Sequence, residues 1–446
     1  MTDASVGRLG VGSRPNAIAG WLLAGTAGLA VLANLAAGRL LDAGFGVLVV
    51  ALSVAPAVAL RRRDAVPPWE VIGVAAVPVL ASALSIGGLT GAFDLGVYLA
   101  VAALSVLLAV DLDLLSTVEL TDRFAVFFVA TTTLATAALW ALVRWFVGLA
   151  LGVAFPETLH QLMIELVGAA AAGLLGGLAF AGYVHRSDRH RRRLPDAVVT
   201  PGDRPTGRLG RSPARPGGTG EGSSSAWPEG RFLGLSPTRQ RQATRALQVG
   251  LAAIVALGLL ERDTGVVVNA GIGLGATFVP AILNRDYDVP LDVRLTLWIT
   301  LAVFAHAVGT VRFPGSPADV YQRVWWWDHL THLLSASVVA VVGYAVARAI
   351  DANAEALELP PRFLFVFLLV LTLAFGALWE ILEFSISAGS RLVGTTSVLT
   401  QYGLADTMND LLFDALGGLL VAVAGTAYLS DFTERLAAWW AERPRE

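Results

Sequence analysis

Eight ionisable side chains stand in three of the most apolar stretches of the chain: Asp328, His329 and His332, then Glu380 and Glu383, then Asp406, Asp410 and Asp414. On insertion scales such a group costs about 2.5 to 3.5 kcal/mol at the centre of a membrane helix, so a cluster of them marks a functional site by default. Spacings of three and four place Asp328 with His332, Glu380 with Glu383, and the ladder Asp406, Asp410, Asp414 each along one face of a helix. Imidazole with carboxylate oxygen is the ligand set of a divalent metal such as zinc, and a His one turn after an Asp can offer two ligands to one ion. The candidate ligands are Asp328, His332, Glu380 and Asp406. The candidate residues for activating water are Asp410 and Glu383, with Asp414 behind them. The same carboxylates also suit proton acceptance, because closely spaced ones cannot all ionise in a low dielectric. Residue types alone leave a metal-assisted enzyme and a proton- or cation-coupled carrier both open.

Plainer roles compete for several of these positions. Asp406, followed by Thr407, suits the N-cap of its helix, where a carboxylate also complements the helix dipole. His306 and His329 sit where an interfacial histidine is commonly just hydrogen-bonded structure, and Trp325, Trp326 and Trp327 read as part of an aromatic belt. Mutual pairing that only fastens helices would make the chain a non-catalytic membrane scaffold.

The elements that must carry these groups are membrane helices. With 446 residues, 55% hydrophobic composition and a mean hydropathy of +0.64, the chain lies outside the range of soluble domains. It reads as an all-α, polytopic protein of about twelve transmembrane helices, near 16–38, 43–60, 70–89, 94–110, 124–150, 158–184, 246–261, 265–283, 292–310, 328–349, 362–386 and 406–429. The first run is too long for a signal-peptide core and reads as a retained helix. Cysteine is absent, which excludes disulfides and thiolate metal sites. All 32 basic residues are Arg, and 13 of them lie between Arg186 and Arg245. That stretch follows the positive-inside rule and does not argue for nucleic acid.

Four regions follow: a six-helix repeat over 1–184, an Arg/Pro/Gly/Ser-rich linker over 185–245 expected to be disordered, a second six-helix repeat over 246–430 that carries the polar site, and an interfacial tail over 431–446. Local similarities support duplication. The second helices close alike, from Pro56 to Pro67 and from Pro280 to Pro290. The fifth share Ala138-Leu139-Trp140 and Ala377-Leu378-Trp379, and the sixth run from Glu157-Thr158 to Gly168 and from Asp406-Thr407 to Gly417. Six spans per copy make the repeats parallel. With Asp94 set against Asp328, the first copy has Tyr98 for His332, Ala141 for Glu380, Arg144 for Glu383 and Gln161 for Asp410, so the site is degenerate there. Counting Arg places both termini and the linker in the cytoplasm of a multi-pass plasma-membrane protein. The acidic and imidazole groups then converge near the extracytoplasmic face, where the bilayer itself and a lipid-linked or amphiphilic molecule are the natural partners.

The order Asp328-x-x-x-His332, Trp379-Glu380-x-x-Glu383 and Asp406-Thr407-x-x-Asp410 ahead of Gly417 resembles the YjdF-like family of uncharacterised integral membrane proteins, and more distantly the VanZ-like family. The resemblance covers about 246–430. His329 and Glu383 stand where VanZ-like proteins tend to carry Lys and Gln, so the nearer likeness is to the YjdF-like group. It implies a compact helical membrane unit with a polar site, and no particular reaction.

Overall fold

The computed structural model describes residues 13–84, 95–115, 122–152, 158–192, 234–289, 291–312, 318–353, 361–395, 397–428 and 439. Asp94, most of the expected linker and all of the expected tail except Trp439 lie outside them. Fourteen helices occur among the described residues. The first six are α1 (Arg14–Ala36), α2 (Leu40–Ala59), α3 (Trp69–Ala83), α4 (Leu95–Leu115), α5 (Asp122–Leu151) and α6 (Leu159–Arg192). The rest are α7 (Pro237–Glu261), α8 (Thr264–Ala276), α9 (Val279–Tyr287), α10 (Val293–Gly309), α11 (Val320–Arg323), α12 (Trp327–Asn353), α13 (Pro361–Val393) and α14 (Leu404–Tyr428). Nine segments, α8 and α9 together forming one of them, are long and apolar enough to cross a membrane, and three shorter apolar helices lie at Trp69–Ala83, Tyr98–Leu112 and Val293–Gly309. The chain is an all-α, polytopic membrane protein, with no strand among the described residues.

Local chemistry sets where these helices start and stop. Ser13, Ser236, Asp263, Asp292 and Asp319 cap α1, α7, α8, α10 and α11, each accepting a hydrogen bond from a backbone N–H of the first turn. Pro280 at the start of α9 marks the break from α8, since proline cannot donate to a continuing helix. Two boundaries differ from the sequence reading. Helix α6 runs on to Arg192 and α7 begins at Pro237, so helix occupies both ends of the expected linker. Arginines in these terminal turns are good helix formers, and a capped start at Ser236-Pro237 needs no apolar run.

Packing repeats between the halves. In the first, α1 packs on α2 and α3, α3 on α4, and α4 and α5 on α6; in the second, α7 packs on α8 and α10, α10 on α12, and α12 and α13 on α14. The halves meet where α5 lies on α13, with flanking contacts from α6 and α14. Leu134, Ala138 and Leu166 are buried there against Leu373, Ala377 and Leu411. Alanine from both sides at the centre of this seam lets the two helices approach closely, as small residues do in membrane interfaces.

Candidate functional site

Helices α12, α13 and α14 bring the eight ionisable groups to one end of the second half. Trp327 pins the start of α12 to α10, its indole N–H donating to the Ala305 carbonyl at 2.9 Å. One turn on, His332 faces three carboxylates. Its Nδ1 lies 3.2 Å from Asp414 Oδ1, and its Nε2 lies 3.8 Å from Asp328 Oδ1 and 3.9 Å from Asp410 Oδ1. An ionised carboxylate only accepts, so with Asp414 ionised and His332 neutral the imidazole proton would sit on Nδ1 and leave the Nε2 lone pair toward Asp328 and Asp410.

Close backbone approach makes this geometry. A Cβ on Gly417 would fall 2.6 Å from the Leu333 carbonyl and 3.1 Å from Ser337 N, so only glycine lets α14 lie this near α12. That contact seats Asp410 and Asp414 against His332. Asp410 is 3% exposed, yet its Oδ1 finds no hydrogen-bond partner among the described residues. His329 Nδ1, 3.8 Å from that oxygen, is buried and equally unpartnered. The His329 ring lies flat on Phe413, with centroids 4.7 Å apart and an interplanar angle of 5°.

Asp328, His332 and Asp410 each point one ligand atom into a common space, all three within 4.8 Å of one another. Ligands of a tetrahedral ion with bonds of about 2.1 Å would sit about 3.4 Å apart, so small side-chain shifts would close these donors on one ion. Buried carboxylate atoms without partners are costly, and a cation would satisfy them.

The other expected site residues are engaged elsewhere. Glu380, fully buried, accepts from Thr407 Oγ1 at 2.8 Å and from Gln401 Nε2 at 3.0 Å, while its Oε1 stays unpartnered among the described residues. Asp406 accepts from the Tyr402 backbone N–H at 3.3 Å, closing the turn ahead of α14. Both stand outside the three-residue group. Glu383 accepts from the Trp379 indole at 2.9 Å and faces a small polar chamber of about 80 Å³, which Asp328, His332, His306, Tyr321 and Tyr402 also line.

Several residues of the chamber carried no clear signal in the sequence. Tyr321 donates to His306 Nδ1 at 2.7 Å, and Tyr402 donates to Asp319 Oδ2 at 2.8 Å. Burial raises both phenols above their usual range, helped at Tyr321 by the charge of Asp328 and at Tyr402 by the hydrogen bond to Asp319, so both remain donors. Asn269 donates to Gly265 O and Val398 O, leaving its Oδ1 to face His306 Nε2 at 3.2 Å. Both nitrogens of His306 are thus occupied, which makes it a structural strut. Asn269 is a polar residue in an apolar helix, a signal the sequence did offer; the partners of Tyr321 and Tyr402 depend on the folded loops.

Two first-half positions that the sequence reading sets against the site have polar partners within the first half. Arg144 pairs with Glu165 at 2.7 Å, and Gln161 forms a reciprocal cap with Thr158.

A helical membrane protein with a buried His/Asp group at one end of its second half is the class that this fold and geometry define. Within it, residues 243–431 match a family model described as "Predicted membrane protein (DUF2238)", which is the YjdF family. The more distant VanZ-like resemblance gains no support from that match. Residues 4–66 match a domain of unknown function, DUF8268. An uncharacterised protein of Thermotoga maritima is 27% identical over 187 residues, covering 41% of this chain and 88% of its own length. No solved structure matches.

Proposed function

We propose that the second half is a membrane-embedded, metal-assisted enzyme acting on a lipid-linked or amphiphilic substrate at the extracytoplasmic side. The observation that carries this reading is the clamped histidine. Asp414 holds Nδ1 of His332 while Nε2 turns toward Asp328 and the unpartnered Asp410 oxygen. A carboxylate behind a ligating imidazole is how proteins fix the tautomer and raise ligand basicity. Asp328, His332 and Asp410 would hold a divalent ion such as zinc, which activates water or polarises a substrate oxygen. Glu383, on the chamber wall, would then serve as the group that accepts or returns a proton. Glu380, tied to Thr407 and Gln401, and Asp406, tied to the Tyr402 turn, support the site from outside.

A carrier needs a polar route to the opposite face. Beneath the site, α10, α12, α13 and α14 instead close on an apolar cluster that includes Ala340, Val341, Tyr344, Leu364, Leu368 and Val421. This packing favours the enzyme over the transporter. The repeated order of helix contacts, with Arg144–Glu165 in place of a site, supports reading the first half as a duplicated scaffold.

Zinc analysis of purified full-length protein tests the reading. After equilibration with zinc and removal of excess, the wild type should retain about one ion per chain, and His332→Ala and Asp410→Asn should retain far less. His306→Ala, which disturbs the strut alone, should still hold zinc. Equal retention in wild type, His332→Ala and Asp410→Asn, or none in the wild type, would sink the proposal.

A further inference from the structure

Below the polar chamber the second half holds a much larger, mainly apolar cavity, about 550 Å³ in volume and open on one side, lined by α8, α10, α12 and α13 together with Val398, Leu399 and, from α14, Asp414. This falls within the range of small-molecule sites. Helix α8 packs on α7 and α10, α13 packs on α12 and α14, and the cavity lies between the two sets. Its walls are mainly small or aliphatic, among them Gly273, Ala302, Val303, Ala336 and Val339. Ile272, Phe375 and Leu382 line it and remain 70%, 44% and 43% exposed, so its side faces what surrounds the helices. For spans of this hydropathy, those surroundings are hydrocarbon.

Two features make the cavity more than a gap for annular lipid. It shares His306, His332 and Trp379 with the polar chamber, so the apolar space continues directly into the His/carboxylate site. Its lining on α13 runs from Thr372 to Ile386. The part below Trp379 on the chamber wall is about 10 Å of helix at 1.5 Å per residue, which lies within one leaflet of a hydrocarbon core about 30 Å thick. The chamber, at about 80 Å³, has room for a small polar group and none for a second chain.

We infer that this cavity is the tail site for a single-chain amphiphile of the outer leaflet, held with its hydrocarbon between α8 and α13 and its polar end in the chamber beside His332 and Glu383. The inference deepens the proposed function by naming its substrate class, and rests on that reading only for what happens at the polar end. A tail site of this form selects by chain count: one chain fits, while a two-chain phospholipid leaves its second chain in the bilayer or is refused.

Photolabelling in proteoliposomes tests it, using the full chain and a monoacylglycerol, whose head is small enough for the chamber, with a diazirine in its acyl chain. Label should concentrate on cavity residues such as Ile272, Val303, Val339 and Phe375. Ser335→Phe, which fills the cavity from α12, should cut that label by roughly tenfold, the scale expected from overpacking a fitted site. Label at lipid-facing Val423 should not change. Val339→Phe serves as a second filling variant, and a cooperative thermal unfolding transition in detergent like that of the wild type shows that the fold of either variant is intact. Label spread evenly over lipid-facing residues, or cavity label unchanged in a folded filling variant, would overturn the tail site. Confined label with no zinc in the wild type would leave the tail site standing and remove the metal reading. A diazirine alkane of the same chain length labelling equally well would show that the chain alone is recognised and overturn the role given to the chamber.

Discussion

A histidine can ligate an ion only through a nitrogen that nothing else claims, and this distinguishes His332 from His306. His306 receives Tyr321 on Nδ1 and faces Asn269 with Nε2, whereas His332 has one nitrogen held by Asp414 and the other turned to Asp328 and Asp410. On the proposed reading, Asp414 would act on the ion through the imidazole. Replacing Asp414 with Asn keeps the size and an accepting oxygen but removes the charge that makes His332 a better ligand. Zinc affinity should fall by about 10- to 100-fold in Asp414→Asn, the usual cost of removing such a partner, whereas His332→Ala should abolish binding. Competition with a chromophoric chelator measures both. An unchanged affinity in Asp414→Asn would show that Asp414 only fastens α14 to α12.

The helices place these groups through contacts too close for a larger side chain. At Gly417 an added methyl would meet the backbone of α12 at Leu333, the residue after His332. Gly417→Ala should push α14 off α12, costing about 1 to 3 kcal/mol of stability and weakening zinc binding with it. Thermal unfolding in detergent checks the first and chelator competition the second. Gly271→Ala on α8, where a new Cβ meets nothing within 4 Å, should leave both unchanged or slightly raise stability. A Gly417→Ala protein as stable as Gly271→Ala would mean that the close approach does not position the site. The sequence made the helix faces legible, because spacings of three and four in apolar stretches fix which residues share a side. Asp328, His332, Asp410 and Asp414 come together on that basis. The division of labour among the carboxylates was not legible. Glu380 and Asp406 are taken by Thr407, Gln401 and the Tyr402 backbone, partners set by how residues 397–403 return across the site. No helical period encodes that return. The outer chamber wall escaped for the same reason, since Tyr321 folds over α10 at Gly309, where a Cβ would lie 2.2 Å from its ring.

At the scale of the whole molecule, the proposal depends on which side of the bilayer the chamber faces. The loop at Arg62–Asp64 and the last turn of α9 at Arg285–Asp286 carry exposed charged pairs, and under the positive-inside rule both would face the cytoplasm with the linker. On that orientation the chamber, the short helix α11 and Trp325 would lie outside, within reach of an outer-leaflet amphiphile. The natural sequence has no cysteine, so single-cysteine variants report topology without background. Trp325, 79% exposed, and Arg285, with a 77% exposed side chain, mark the two faces. In intact cells a membrane-impermeant maleimide should label Trp325→Cys at once and Arg285→Cys only after permeabilisation. The reverse pattern would place the His/carboxylate site at the cytoplasmic leaflet and remove extracytoplasmic chemistry. Labelling of both without permeabilisation would put Trp325 and Arg285 on one face, which a membrane crossing by α10 between them forbids.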